Sequence, residues 1–192
     1  AAIGQSRLMG VYEGLFGEHN LCCAQVLLTQ SDFDDTHRYE NLTRTLGKLM
    51  QHRVVPIVNE NDAITSAIKM EHKQGVFYDN DRLAGLTATA LKADALILLS
   101  NIDALYTGPP DEANSERIAS HDPDPPIRFG KSSSLGRGGM ESKLIAAQRT
   151  AQSGIPVVIA SGLDSEALQS VLRGEDTGTF FAPSTTDNND ST

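Results

Sequence analysis

Four short runs of the sequence are apolar at nearly every position: LCCAQVLLT at 21–29, VVPIVN at 54–59, DALILLS at 94–100 and PVVIA at 156–160. A strand with one wet face alternates apolar and polar residues, so unbroken runs of this length imply strands buried on both faces. The segments between them carry a helical period instead. Ile3, Leu8, Val11, Tyr12, Leu15 and Phe16 put apolar residues largely on one side of a helix over 2–16, which starts without a cap. After SDFDD, which suits a turn and a helix start, Tyr39, Leu42, Leu46, Leu49 and Met50 continue a helix to about His52. Leu83, Leu86, Ala90 and Leu91 mark another, residues 140–152 and 165–173 add two more, and a last strand falls near GTFFA. Doubly buried strands alternating with helices predict an α/β fold, a mostly parallel sheet covered on both sides. Pro56 is a mild objection, because proline withholds a ladder donor.

The chain has 192 residues, 39% of them hydrophobic and 21% charged, the make-up of one globular domain with its own core. No apolar stretch reaches the roughly 18 residues of a membrane span, and AAIGQSRLMG lacks the basic-then-apolar order of a secretory leader. The expectation is a soluble, intracellular protein. A formal charge of −9 argues against a broad nucleic-acid surface, which needs clustered Lys and Arg, but allows a small anion site. Adjacent Cys22 and Cys23 cannot staple a fold and read as small buried hydrophobes in a strand. The histidines are scattered without ligand spacing, so no transition-metal site is expected. A polar stretch at 65–78 and a Pro-, Asp- and Ser-rich excursion at 108–134 interrupt the pattern, and STTDNNDST at 184–192 reads as a disordered tail.

In an open parallel sheet, ligands bind among the loops that leave the C-terminal ends of strands. NENDA at 59–63 and the SNIDALYT that begins at Ser100 leave strands there, while DND at 79–81 and GRGGMESK at 136–143 open helices. Singly, Asn and Asp clusters only cap helices and hold turns, and glycines only permit positive φ. As a set they say more, since carboxylates and amides suit a charged amino group while glycine amides and a lysine suit phosphate. Glycines let N–H groups turn onto an anion with no Cβ in the way, and the helix that follows adds the positive end of its dipole. Lys143 stands one turn inside that helix. The Walker loop differs, because its lysine directly follows a glycine. A lysine on a solvated helix face is the competing reading.

With NENDA, FYDND, KADALILLSNIDALYT and GRGGMESK in that order, the chain resembles the glutamate 5-kinases of the amino acid kinase family over nearly all of residues 1–182. GPP after DALYT, and FGKSSSLGRGGM, look more like the kinase domain of the bifunctional pyrroline-5-carboxylate synthases. The resemblance implies a three-layer αβα sandwich over 1–183 and transfer of the ATP γ-phosphoryl group, with Mg²⁺ bridging phosphate oxygens, to the side-chain carboxylate of L-glutamate. A carboxylate is already an ionised nucleophile, so the catalytic work is alignment and charge neutralisation rather than base catalysis. By motif, Asp62, Asn59 and Asn80 would bind glutamate, Asp62 through its α-amino group. Asp81 would orient the catalytic Lys143, and Ser100 and Asn101 fall at a nucleotide-contacting position. Arg137, Gly138, Gly139, Met140, Glu141, Ser142 and Lys143 would wrap the phosphates. The implied partners are a second copy of the chain and a fused or associated glutamyl-phosphate reductase, with no nucleic acid and no membrane. The implied location is the cytoplasm, or the mitochondrion for a eukaryotic synthase.

Two positions depart from the pattern: Asn101 stands where members commonly carry Asp, and Ala104 where they carry Gly. The family also opens with a strand, a glycine-rich turn bearing another phosphate-binding lysine, and a Gly-Ser-Ser loop, before reaching a segment like AAIGQSRLMG. The expectation is therefore an N-terminally truncated kinase domain, with little turnover by the bare chain and exposed apolar strand edges. The competing reading is a non-catalytic nucleotide- or amino-acid-binding protein, and a kinase of the same fold acting on another acid or on a nucleotide is the third.

Overall fold

The structure is a computed structural model that describes residues 2–62, 64, 80–108, 112–121 and 139–184. The polar stretch at 65–78, Asp79, most of the 108–134 excursion, Arg137, Gly138 and the tail beyond Ser184 lie outside the described residues. The described helices are α1 (Ala2–Glu18), α2 (Ser31–Asp34), α3 (Thr36–Gln51), α4 (Asn80–Leu91), α5 (Met140–Gln152) and α6 (Ala167–Leu172). The described strands are β1 (Cys22–Leu28), β2 (Val54–Glu60), β3 (Leu96–Ser100), β4 (Leu105–Tyr106), β5 (Arg117–Ile118), β6 (Val157–Ser161) and β7 (Thr179–Phe181). The chain divides into two compact units, Ala1–Leu83 and Ala84–Thr192, and the division falls inside α4.

In the first unit β1 and β2 run parallel, in register from Cys22 beside Val54 to Leu28 beside Glu60. Pro56 sits in β2 without breaking the pairing, as a strand allows when, among the described residues, it is paired along one edge alone. Helix α3 joins the two strands and packs on β2. Asp35 starts it, its side chain accepting from the Arg38 amide at 2.9 Å and satisfying one of the orphan donors of the first turn. Leu42 and Leu46, four residues apart on one face, are its buried anchors, each contributing roughly 1.5–3 kcal/mol by leaving water. Arg53, just past the helix, takes a left-handed φ of 59°, which turns the chain into β2.

The apolar positions of α1 form a helix as expected; Met9 is buried in it, while Leu8, Val11 and Leu15 are not, staying 41%, 60% and 56% exposed. Among the described elements α1 packs chiefly on β1, and one strand is too narrow to cover so wide an apolar stripe. The cysteines are not the buried pair expected of them. Cys22 is exposed and Cys23 half-buried, because β1 is paired along one edge only among the described residues.

The second unit carries a three-stranded sheet in the order β3-β6-β7, with β3 and β6 parallel and β7 antiparallel to β6. Register places Leu96 beside Val157 and Leu98 beside Ile159, and Phe181 beside Val157, so these side chains share one face. Leu144, Ala146, Ala147 and Ala151 of α5 close over that face and, with Leu105 and Ile118, complete the core. Small alanines let the helix lie close to the sheet. α5 spans the residues its periodicity predicts. The β4–β5 hairpin is a finding the sequence did not announce: two residues pair on each side, Leu105 with Ile118 and Tyr106 with Arg117, with β4 just before the segment read as an irregular excursion and β5 inside it. Ser184, counted with the tail, donates its amide to the Ala151 carbonyl at 2.8 Å.

Candidate functional site

The parallel strands of each unit end together, and each shared end is a place where side chains converge. In the first unit β1 and β2 stop at Leu28 and Glu60, and the Asn61 amide donates to the Leu28 carbonyl at 2.8 Å, locking NENDA against the end of β1. Asn59 and Glu60 belong to the strand itself, so the loop starts two residues later than the motif suggests. The Asn59 side-chain oxygen accepts from the Glu60 amide at 2.9 Å, which turns it toward its own backbone. Beside it, Asp32 accepts from the amide and hydroxyl of Thr29 at 2.7 and 2.8 Å and holds the turn after β1.

Asp62 opens onto a cavity of about 560 Å³ between α1 and β1. Glu13, Glu60 and Asp62 give its wall carboxylates, and Gln5, Gln25 and Asn61 give it amides, with Gln25 donating to Gln5 at 2.7 Å. Such a wall favours a ligand bearing a cation, because carboxylates are ionised near neutral pH and charge-assisted hydrogen bonds are the strong ones. Of the residues expected to hold substrate, Asp62 lines this cavity and Asn59 does not. Asn80 and Asp81 form the first turn of α4, Asn80 exposed and Asp81 half-buried. No signal in the sequence pointed to the wall supplied by α1; it arises only when the helix folds back along β1.

In the second unit β3 and β6 end at Ser100 and Ser161, side by side in register. The Gly162 amide donates to the Ser100 carbonyl at 2.6 Å, and the Ser100 hydroxyl, nearly buried, accepts from the Ile102 amide at 3.3 Å and lies 3.4 Å from the Asn101 side-chain oxygen. Asn101 itself is exposed. α5 packs on β6 and enters it through residues 153–156, so helix and strand run in opposite directions. The start of α5 is therefore at the same sheet edge as Ser100 and Asn101.

That start has the features of an anion site. Gly139 is the cap residue, in an extended conformation and with no side-chain hydrogen bond to the helix, so no side chain competes for the leading amides. The Ser142 hydroxyl turns back to the Gly139 carbonyl at 2.9 Å, and Lys143, half-buried, lies in the same first turn. Partial positive charge at a helix start adds to the lysine, an arrangement suited to phosphate oxygens. Thus Ser100, Asn101 and Gly139, Met140, Glu141, Ser142 and Lys143 gather at one edge of the second unit, while Asp62, Asn80 and Asp81 belong to the first. Among the described residues no group of three or more His, Cys, Asp or Glu converges as a metal site, and no helix is long and apolar enough to cross a membrane.

The first unit thus holds an acidic cavity at a strand end, and the second, by itself, a capless glycine-led helix at another, both within an α/β fold. The chain belongs to the amino acid kinase family, whose model matches residues 1–161. It is 47% identical over 185 residues to Delta-1-pyrroline-5-carboxylate synthase 1 of Oryza sativa subsp. japonica, covering 94% of this chain and 26% of the synthase. It is 45% identical over 188 residues to glutamate 5-kinase of Myxococcus xanthus, covering 95% of this chain and 48% of that enzyme. The chain thus spans about a quarter of the plant synthase's length and about half of the bacterial kinase's. Among solved structures, an isopentenyl phosphate kinase aligns with a TM-score of 0.62 at 16% identity, over 93% of this chain and 66% of that one. UMP kinase from Bacillus anthracis aligns with a TM-score of 0.53 at 10% identity, over 86% and 60%. At such identities these two likenesses show the fold, that of the amino acid kinases.

Proposed function

We propose that the chain is the catalytic part of a glutamate 5-kinase, moving the γ-phosphoryl group of MgATP to the side-chain carboxylate of L-glutamate to give L-glutamyl 5-phosphate, the first step toward proline. The observation that carries the reading is the start of α5, where Gly139 leaves the leading amides without a side-chain cap and Lys143 follows within one turn. Two relatives support the substrate assignment: the Myxococcus xanthus protein is named glutamate 5-kinase, and the rice protein a synthase of pyrroline-5-carboxylate.

In this reading the glycine-led amides and Lys143 receive the phosphate chain, Arg137 and Gly138 share that role by motif, and Ser100 with Asn101 contacts the nucleotide. Lys143 offsets charge as the phosphoryl group moves. Asp62 receives the α-ammonium of glutamate in the acidic cavity, with Asn59 and Asn80 as further amide partners, and Asp81 orients the lysine. Lys143 and the amides at the start of α5 would hold the phosphates of MgATP, whose Mg²⁺ would supply further charge neutralisation there. No general base is assigned, because the acceptor carboxylate is ionised before it attacks. A homo-oligomer, a fused or associated glutamyl-phosphate reductase and a cytoplasmic or, for a eukaryotic synthase, mitochondrial setting belong to the same proposal.

Trapping tests it. The full-length gene product, given MgATP and hydroxylamine, should form a hydroxamate with L-glutamate and not with L-aspartate. Hydroxamate independent of the amino acid supplied, or ATP consumption driven by UMP or isopentenyl phosphate instead, would overturn the assignment.

A further inference from the structure

We propose that Thr179 is a positioning residue for the nucleotide, its hydroxyl fixing the far end of the loop at 101–104 that leaves β3; the inference rests on the nucleotide role given to Ser100 and Asn101. The near end of that loop is held by Ser100, whose carbonyl and hydroxyl take the Gly162 and Ile102 amides. The far end is held by Thr179, whose Oγ1 accepts from the Leu105 amide at 2.8 Å and donates to the Ile118 carbonyl at 2.5 Å. One hydroxyl, with Thr179 0% exposed, thus ties both strands of the β4–β5 hairpin to β7. The hairpin has two residue pairs of its own. The segment after β5 is held to β7 as well, the Phe180 amide donating to the Ala119 carbonyl at 2.9 Å and the His121 amide to the Phe180 carbonyl at 2.8 Å. The Thr179 hydroxyl is the bond that reaches β4.

The chain goes to some length to deliver this hydroxyl. Gly178, just before it, has a left-handed φ of 76°, and a β-carbon there would run into the Ile159 carbonyl. Backbone is thereby pressed onto β6 and Thr179 is aimed across the sheet at β4. Between the two anchors stand Asn101 and Asp103, both exposed, on a segment with nowhere to drift while Leu105 is held. Valine has the shape of threonine and neither of its hydrogen bonds, so it would cut the tie from the Leu105 amide and the Ile118 carbonyl to β7 and loosen the loop.

Calorimetric titration of the chain with MgATP and, separately, with magnesium tripolyphosphate tests this. Thr179→Val should weaken MgATP binding about tenfold, leave tripolyphosphate binding within about twofold, and Thr179→Ser should restore the parent affinity. A merely structural loss would weaken both ligands alike, and that result, or an unchanged MgATP affinity, or failure of serine to restore it, overturns the inference while the phosphate site stands. Failure of the unaltered chain to bind MgATP overturns the nucleotide reading and this inference with it. A measurement that needs no variant runs alongside: by linkage, saturating MgATP should slow hydrogen exchange at the Leu105 amide, and exchange there unaffected by bound MgATP contradicts the proposal.

Discussion

Gly85 on α4 faces Thr150 on α5 so closely that a β-carbon at 85 would lie 2.6 Å from the threonine hydroxyl. That hydroxyl is occupied, donating to the Ala146 carbonyl at 2.8 Å within its own helix. The contact sets how near the two helices come.

It makes a direct prediction. A glycine inside a helix is worth about 1 kcal/mol less than alanine, yet Gly85→Ala should destabilise, because overpacking costs about 1–3 kcal/mol where a neighbour cannot give way. Gly85→Val should be worse. Thermal melts should show Gly85→Ala lowering the midpoint and Thr150→Ala added to it recovering much of the loss. A Gly85→Ala chain more stable than the parent would show that Thr150 swings aside freely.

The start of α3 offers a second. Asp35 is the helix cap and its carboxylate takes the Arg38 amide. Asp35→Ala should cost about 1 kcal/mol in urea unfolding, and Asp35→Asn much less, since the amide oxygen can still accept. Equal losses for both would assign the effect to charge instead.

Tyr106 supplies a pH dependence. Burial, then the hydrogen bonds to Asp103 at 3.0 and 3.2 Å and the charge of that carboxylate, hold its phenol above the ordinary value of 10.0, with Arg117 opposing them. A folded-state value raised above the unfolded one favours the neutral phenol in the folded chain. Its contribution to stability is whole below the unfolded value and is lost as pH climbs through the folded one. Ultraviolet difference titration should find one tyrosine ionising later than a free phenol, shifted down in Asp103→Asn and absent in Tyr106→Phe. An unshifted titration in the parent would contradict the environment described.

The acidic cavity makes the fourth prediction. On the proposed function, Asp62→Asn in the full-length gene product keeps shape and removes charge, so the KM for glutamate should rise about ten- to hundredfold, the range of a charge-assisted hydrogen bond, while the KM for ATP moves little. A change confined to ATP would place Asp62 on the other substrate.

Much of this was legible because periodicity survives folding. Residues 140–152 repeat small and apolar residues on one face and α5 has those bounds; the unbroken runs around Ile97 and Val158 became adjacent parallel strands. The face a helix buries was harder to read. In α1 the period showed a helix with an apolar side, but how much of that side is covered depended on the strand surface beneath, which no local pattern records: Leu8, Val11 and Leu15 stay exposed. Two-residue strands such as β4 and β5 have no period at all, and they are held by partners distant in sequence: core packing of Leu105 and Ile118, and bonds to β7, including that of Thr179 to Ile118 over sixty residues away. Among the candidate residues, Asp62, Ser100 and Lys143 stood out through motif order, whereas Glu13 and Gln25 line the first unit's cavity through tertiary folding alone.

The account turns on Lys143 and the amides beside it stabilising the moving phosphoryl group, and steady-state kinetics of Lys143→Ala in the full-length gene product reach that claim most directly. Losing one such charge should lower kcat for glutamate phosphorylation about a hundredfold or more while the KM for ATP changes far less. A kcat left at the parent value would contradict it.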